Sequence, residues 1–224
     1  MLKQIVHHSP KLITFMMLLH LSLSKPQTRH VPYIADAVIV SDAPHKTLRS
    51  LYGLIVEAPD PTNAADCLRI SPWSGQDLCE AVRDFVRQDL LATAAAANAE
   101  QVIYVSLDDC LSPKDKATRH LEPVAFHHDH TQGTARRPVY TNGVVHVEVR
   151  LQIGDLAYSY DHRIYLREKT VRRLNRQRPT GQRIPFRSKY RLAQEMLTDL
   201  SQRLPPGYRV GVLFDSWYAS NRLL

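Results

Sequence analysis

Three aspartates carry the chemistry this chain could do. Asp108 and Asp109 stand side by side after Val102-Ile-Tyr-Val-Ser-Leu, and Asp215 follows Val210-Gly-Val-Leu-Phe. Each pattern is an apolar run ending in carboxylate, and placing charge at the end of a dry element costs free energy, which marks a site. Two carboxylates about 4 Å apart repel by about 4 kcal/mol at an effective dielectric near 20. Such a pair needs a raised pKa or a divalent cation between its members. Oxygen ligands on a rigid sheet suit Mg²⁺ or Mn²⁺, and a cation so held activates a water or a hydroxyl for in-line phosphodiester displacement. Taken singly, Asp108, Asp109 and Asp215 read as residues that cap loops or accept backbone hydrogen bonds.

The elements that must position these residues follow from the pattern around them. Val102 to Asp108 predicts a strand buried on both faces at the centre of a sheet, and Tyr208 to Asp215 predicts a second short buried strand. Between them Val145, Val147, Val149, Leu151 and Ile153 alternate with His146, Glu148, Arg150 and Gln152, the period of a half-buried strand. Gly154-Asp155 supplies a tight turn, and a return strand runs from Leu156 to Leu166. Ser188 to about Leu204 predicts a helix with Leu192, Met196, Leu197 and Leu200 on one side, ended by Pro205-Pro-Gly207. A final helix begins at Ser220.

Upstream, residues 1–97 read as helical. Helices are expected over 2–23, broken by Lys25-Pro26, over 27–40, after Asp42-Ala-Pro-His45, and over 64–70. A longer one begins after Ser74, an N-cap with Asp77 three residues on. The domain reading is therefore an all-α N-terminal region over 1–97, with DNA-end binding as its functional reading and a plain helical bundle as its structural one, followed by an α/β domain over 98–224.

Composition is that of a globular chain: 224 residues, 44% hydrophobic and 23% charged, with a net charge of +7. The pI near 9.4 favours an acidic partner, of which nucleic acid is the commonest. Between Arg163 and Arg191 eleven Lys or Arg residues face the single acid Glu168. A run this one-sided repels itself unless phosphate or another acid neutralises it. The candidate DNA contacts are Lys114, Arg167, Lys169, Arg172, Arg173, Arg176, Arg178, Arg187 and Lys189. Histidines 127, 128 and 130 flank Asp129 in what reads as a loop, with no zinc-finger spacing. Cys67, Cys79 and Cys110 form neither a CxxC pair nor a disulfide framework, which fits a reducing cytoplasm. The apolar run 12–23 is too short to span a bilayer, which needs about 20 residues. It reads as a buried helix, with a signal peptide as the alternative, and no membrane partner is expected.

Strand, hairpin of two strands, helix, strand is the order of elements in a ribonuclease-H-like domain, whose first and fourth strands lie side by side. That order would bring Asp108 and Asp215 to neighbouring strand ends, where open α/β sheets place ligands. The segments "APDPTNAADCLRISPW", "LDDCLSPK", "HRIYLREKTVRRLNRQR", "IPFRSKYRLAQEMLTDL" and "VLFDSWYAS" together resemble DDE-type insertion-sequence transposases, in the branch of DDE superfamily endonucleases. The resemblance covers most of the chain from about residue 45. It implies metal-dependent cleavage and strand transfer at transposon ends, with Asp108 as the first catalytic aspartate, Asp109 competing for that role, and Asp215 as the second. Cys110 departs from the family's Thr. The family's third acid, a Glu on a helix beyond the second strand, has no counterpart before Leu224, so the expectation is a truncated transposase with an incomplete ribonuclease-H-like sheet, inactive alone. The alternative is a non-catalytic DNA-binding remnant that occupies transposon ends. A homo-oligomer or association with a full-length transposase is the expected protein partner.

Overall fold

The computed structural model describes residues 4–43, 46–96, 102–134, 136–215 and 217–219. The chain forms two compact units, 1–85 and 86–224, so the division falls inside a long helix. It is a mixed α/β protein with its helices concentrated at the N-terminus and one mixed five-stranded sheet.

The first unit contains α1 (Pro10–Leu18), α2 (Lys25–Val40), α3 (Leu48–Tyr52), α4 (Pro61–Ile70) and the start of α5 (Gly75–Ala96). Its boundaries obey local chemistry. Gln27 reaches back to the amide and hydroxyl of Ser24 at 2.9 and 2.8 Å, closing a capping box at the start of α2. Lys25-Pro26 therefore opens a helix, since Pro fits the first turn, where its missing N–H has no partner to lose. Thr47 accepts from the Ser50 amide at α3, Asp60 from the Thr62 amide at α4, and the Ser74 hydroxyl from the Asp77 amide at α5. The core gathers Ile5, Ala37, Leu51, Tyr52, Ile55 and Ala64. Within it His30 Nδ1 lies 3.0 Å from the Tyr52 hydroxyl and His8 Nδ1 2.8 Å from buried Asp36. The expected buried helix over 2–23 is corrected twice. It is the shorter α1, and none of its residues is buried, with Met17 and Leu18 left in solvent.

The second unit is built on β1 (Val102–Pro113), β2 (Ala125–His128), β3 (Tyr140–Ile153), β4 (Leu156–Tyr165) and β5 (Arg209–Phe214), with α6 (Glu168–Asn175) and α7 (Lys189–Arg203) between β4 and β5. β3 is the spine. It pairs antiparallel with β1 on one edge and on the other with β4 and, near its start, with β2, while β5 lies parallel to β1. The turn at Gly154 uses a positive φ of 54°, as the sequence led one to expect. One face of the sheet is dry: Ile103, Val105 and Leu107 of β1 and Val145, Val147, Val149, Leu151 and Ile153 of β3 are all buried, as are Leu192, Ala193, Met196 and Leu200 of α7. The opposite face is open, so two expectations fail. β1 is not buried on both faces, since Tyr104 and Asp108 are exposed, and β5 is an exposed edge strand, with Val210, Val212 and Leu213 each more than 40% accessible. A run of β-branched residues fits a strand with one covered face as well as one with two. The helix expected from Ser220 lies outside the described residues.

Candidate metal and nucleic-acid site

β1 does not end at its aspartates. It runs on to Pro113, still paired with β3 through Leu111 opposite Val145 and Pro113 opposite Gly143. What ends is its other partner: the parallel ladder with β5 stops at Leu107 opposite Phe214. Asp108 and Asp215 are the next residues on the two strands. Neighbouring strands lie about 4.8 Å apart and successive side chains alternate between faces. Asp108 and Asp215 thus each follow directly on the last pair of the ladder, at the step where β1 loses its neighbour and the sheet narrows. The correction to the expected strand end thus moves the opening from the end of β1 to the end of β5.

Alternation also separates the two adjacent acids. Asp108 is exposed on the open face, opposite Glu148 of β3. Asp109 turns to the α7 side and is half-buried. There Lys189 Nζ, on the first residue of α7, stands 2.5 Å from Asp109 Oδ2, and the Tyr218 hydroxyl donates to Asp109 Oδ1 at 3.2 Å. The ammonium also sits 5.0 Å from the Trp217 ring centre and 5.8 Å from that of Tyr165, within range for a cation–π contribution. Tyr190 stacks on Trp217 at 4.9 Å and donates from its hydroxyl to the Trp217 carbonyl, which ties the turn after β5 to α7.

Asp215 organises that turn. Its Oδ1 accepts from the amides of Trp217 at 3.0 Å and Tyr218 at 3.3 Å, an Asx turn that swings buried Tyr218 back under the sheet. Burial pushes the Tyr218 phenol far above its ordinary range, and the charge of Asp109 and then of Asp108 and Asp215 pushes it in the same direction. One hydroxyl thus feels all three carboxylates. Asp108 Oδ1 accepts from the Asp109 amide at 2.7 Å. Among the described residues, Asp108 and Asp215 each keep a second carboxylate oxygen with no protein partner. That donor set fits a hard divalent cation, whereas Asp109 is already neutralised by Lys189.

The basic stretch looks different once folded. Glu195 of α7 receives Arg163 and Arg187 at 3.3 Å and Arg191 at 2.9 Å; Arg163 also meets Asp161 at 3.3 Å. Arg172 pairs with Glu168 at 2.6 Å, Arg178 lies 3.9 Å from Glu122, and Lys189 pairs with Asp109. Acids distant in sequence therefore neutralise much of a run that reads as unbalanced. Arg167 donates to the Phe126 carbonyl at 2.9 Å. Lys169, Arg173 and Arg176 carry no acidic partner among the described residues, and with Arg167 and Arg172 they line a groove of about 690 Å³ beside Val124 to Phe126. Lys114 lies apart from this groove, at the end of β1, where its amide donates to Asn142.

The histidine-rich segment is likewise more ordered than a loop. His127 and His128 belong to β2, opposite Thr141 and Tyr140, because Ala125–His128 completes the edge that β4 leaves free. They line a pocket of about 400 Å³ shared with Asp109, Tyr165, Arg167 and Lys189. Burial holds the His127 imidazole below its usual pKa, and Arg167 and Lys189 act in the same direction.

Sequence pattern alone did not single out Tyr218, Glu195, or the grouping of Cys110, His146 and Glu148 on the open face. The alternation of β3 was visible and placed His146 and Glu148 on one face, but which β1 residues oppose them depends on register. Among the described residues, no helix is long and apolar enough to cross a membrane. Compared with known proteins, the chain matches no family model, no curated protein and no solved structure.

Proposed function

We propose that this chain binds DNA and a divalent cation, with Asp108 and Asp215 as the cation's ligands, as in the catalytic domain of a DDE-type transposase with a ribonuclease-H-like sheet. The observation that carries the reading is the parallel ladder in which Leu107 meets Phe214, leaving the two aspartates as the next pair on adjacent strands. The order β4, β3, β1, β5, with β3 antiparallel to both of its neighbours and β5 parallel to β1, supports the fold reading. Mg²⁺ or Mn²⁺ held there would polarise a phosphoryl oxygen and make a bound water or 3′-hydroxyl a better nucleophile.

The protein's own residues divide the remaining work. Lys189 neutralises Asp109, so the negative charge of the site is concentrated on the open face, at Asp108 and Asp215. Tyr218 holds the turn after β5 in place through Asp109. Lys169, Arg173 and Arg176 present free cations that suit the phosphate backbone, which positions a duplex without reading its sequence. Two carboxylates account for one cation, and the paired-metal arrangement that clamps both attacking and leaving oxygens needs more ligands than these. DNA binding without rapid cleavage is therefore the expected behaviour of this chain alone.

The test is Mn²⁺ binding followed by the paramagnetic signal of the free ion. Asp108→Asn and Asp215→Asn should each abolish saturable binding, while Asp109→Asn should leave it within a few-fold of the parent. Binding that survives in both of the first two variants overturns the assignment. Incubation with supercoiled plasmid and Mg²⁺ should give retention without nicking; robust turnover lost in Asp108→Asn would show that a further ligand completes the site.

A second reading, a DNA-binding protein without metal chemistry, is favoured by the free cations of α6 alone. It requires DNA affinity indifferent to both Mg²⁺ and Asp108→Ala.

A further inference from the structure

The open face of the sheet carries a second set of donors, of different chemistry from the aspartate pair. Cys110 of β1 is the cross-strand partner of His146 of β3, and Glu148, two residues further along β3, lies on the same face opposite Asp108. Directly opposed side chains on one face of an antiparallel pair have Cβ atoms about 5 Å apart, and diagonal neighbours remain within reach of long side chains. In this protein the geometry is tighter than the register alone requires: one ligand atom from each of Cys110, His146 and Glu148 lies within 4.8 Å of the other two. His162 of β4 stands opposite Glu148, with its ring centre 6.2 Å from that of His146, and both line the same shallow pocket.

We infer that Cys110, His146 and Glu148 form a binding site for a borderline-soft divalent cation of the Zn²⁺ class, with a fourth coordination position open toward His162. Bonds of about 2.0 to 2.3 Å in a tetrahedron separate the donor atoms by roughly 3.3 to 3.8 Å. Small rotations of three half-buried side chains close the difference from 4.8 Å. Sulfur and nitrogen donors select against Mg²⁺, which prefers an all-oxygen shell, and favour Zn²⁺ or Co²⁺. The thiol releases its proton to solvent as the metal–sulfur bond forms. Asp108 and Glu148 face one another beside these donors, and Lys114 lines the same pocket. Because the donors come from paired strands, the site is held by the β1–β3 ladder and is independent of β5 and of Asp215. It therefore does not rest on the aspartate-pair reading.

The experiment is titration of the chelator-treated full chain with Co²⁺, read by visible absorption and by the thiolate-to-cobalt charge-transfer band. One equivalent should saturate both signals, and Zn²⁺ should displace the Co²⁺. Cys110→Ser should abolish the charge-transfer band, whereas Cys67→Ser and Cys79→Ser should retain it. His146→Ala should weaken Co²⁺ binding by more than about tenfold, the scale on which even outer-shell changes act. Glu148→Gln, which keeps shape and strand pairing, should weaken it as well, and far-ultraviolet circular dichroism of the metal-free variants establishes that each is folded. Absence of saturable binding to the parent chain, or a charge-transfer band that persists in Cys110→Ser, overturns the proposal. Asp215→Asn should leave the cobalt signals unchanged while removing Mn²⁺ binding at the aspartate pair, so that failure of either site is read separately.

Discussion

Replacing Lys189 by Met removes the charge that stabilises Asp109 while keeping most of the packed stem. Both members of the pair are only 22% exposed. The gross attraction at a separation of about 4 Å and an effective dielectric near 20 is about 4 kcal/mol. Desolvation of both ions offsets a good part of it, and hydrogen bonds to charged groups are worth about 2 kcal/mol net. Loss of the contacts with the Trp217 and Tyr165 rings adds roughly 0.5 to 1 kcal/mol. Lys189→Met should therefore cost about 3 kcal/mol in the second unit. The assay is urea unfolding followed by Trp217 fluorescence in a Trp73→Phe background, which removes the chain's other tryptophan. Combined with Asp109→Asn in a double-mutant cycle, the coupling energy should be about 2 kcal/mol. A coupling below about 0.5 kcal/mol, the size seen for exposed pairs, would refute the claim that this ion pair anchors α7 to β1. The same variant tests the ligand assignment, since Mg²⁺ should stabilise Lys189→Met no more than it stabilises the parent. Selective rescue by Mg²⁺ would mean that Asp109, once freed, is the ligand.

Three further outcomes are expected. DNA affinity should fall steeply with salt, and replacing Lys169, Arg173 and Arg176 together by Ala should reduce the log–log salt slope by roughly 2.7, at about 0.9 per phosphate contact; an unchanged slope in filter binding would remove α6 from the interface. Burial, with a smaller contribution from Arg29, holds His30 below its ordinary pKa. The unfolded chain therefore binds the proton more readily, and stability of the first unit should be fully present above about pH 6.5 and decline as the pH falls toward the folded pKa; His30→Gln should flatten that decline in thermal melts. Gly143 has no space for a side chain, since a Cβ there would lie 2.5 Å from the Ser112 carbonyl oxygen and 2.9 Å from Leu111 Cδ1. Gly143→Ala should destabilise the second unit by about 1 to 3 kcal/mol, measured by urea unfolding, whereas Gly75→Ala, with open space around it, should not destabilise the fold.

The local elements were largely legible. Period-two alternation from Val145 to Ile153, the turn at Gly154, the Ser74 cap, the helix from about Ser188 and the apolar stripe of α7 all stand where hydrogen-bonding and burial rules place them, because those rules act over a few residues. Charge was less legible. The stretch from Arg163 to Arg191 reads as a single basic block, yet Glu195 takes up three of its arginines, and its pairing with Arg163 of β4 exists only after α7 has packed on the sheet.

Sequence by itself determined that Asp108, Asp109 and Asp215 are delivered by apolar strands, and that His146 and Glu148 share a face, since the pleat has a period of two whatever the fold. Tertiary structure decided everything that depends on which strand lies beside which. The parallel register of β1 with β5 ends at Leu107 and Phe214, the residues just before Asp108 and Asp215, and the antiparallel register with β3 sets Cys110 against His146. The seating of Lys189 over β1 separates the roles of two consecutive aspartates. A one-residue slip in either ladder would reverse these assignments, and strand pairing is chosen by the burial of the whole sheet rather than by the residues at the site.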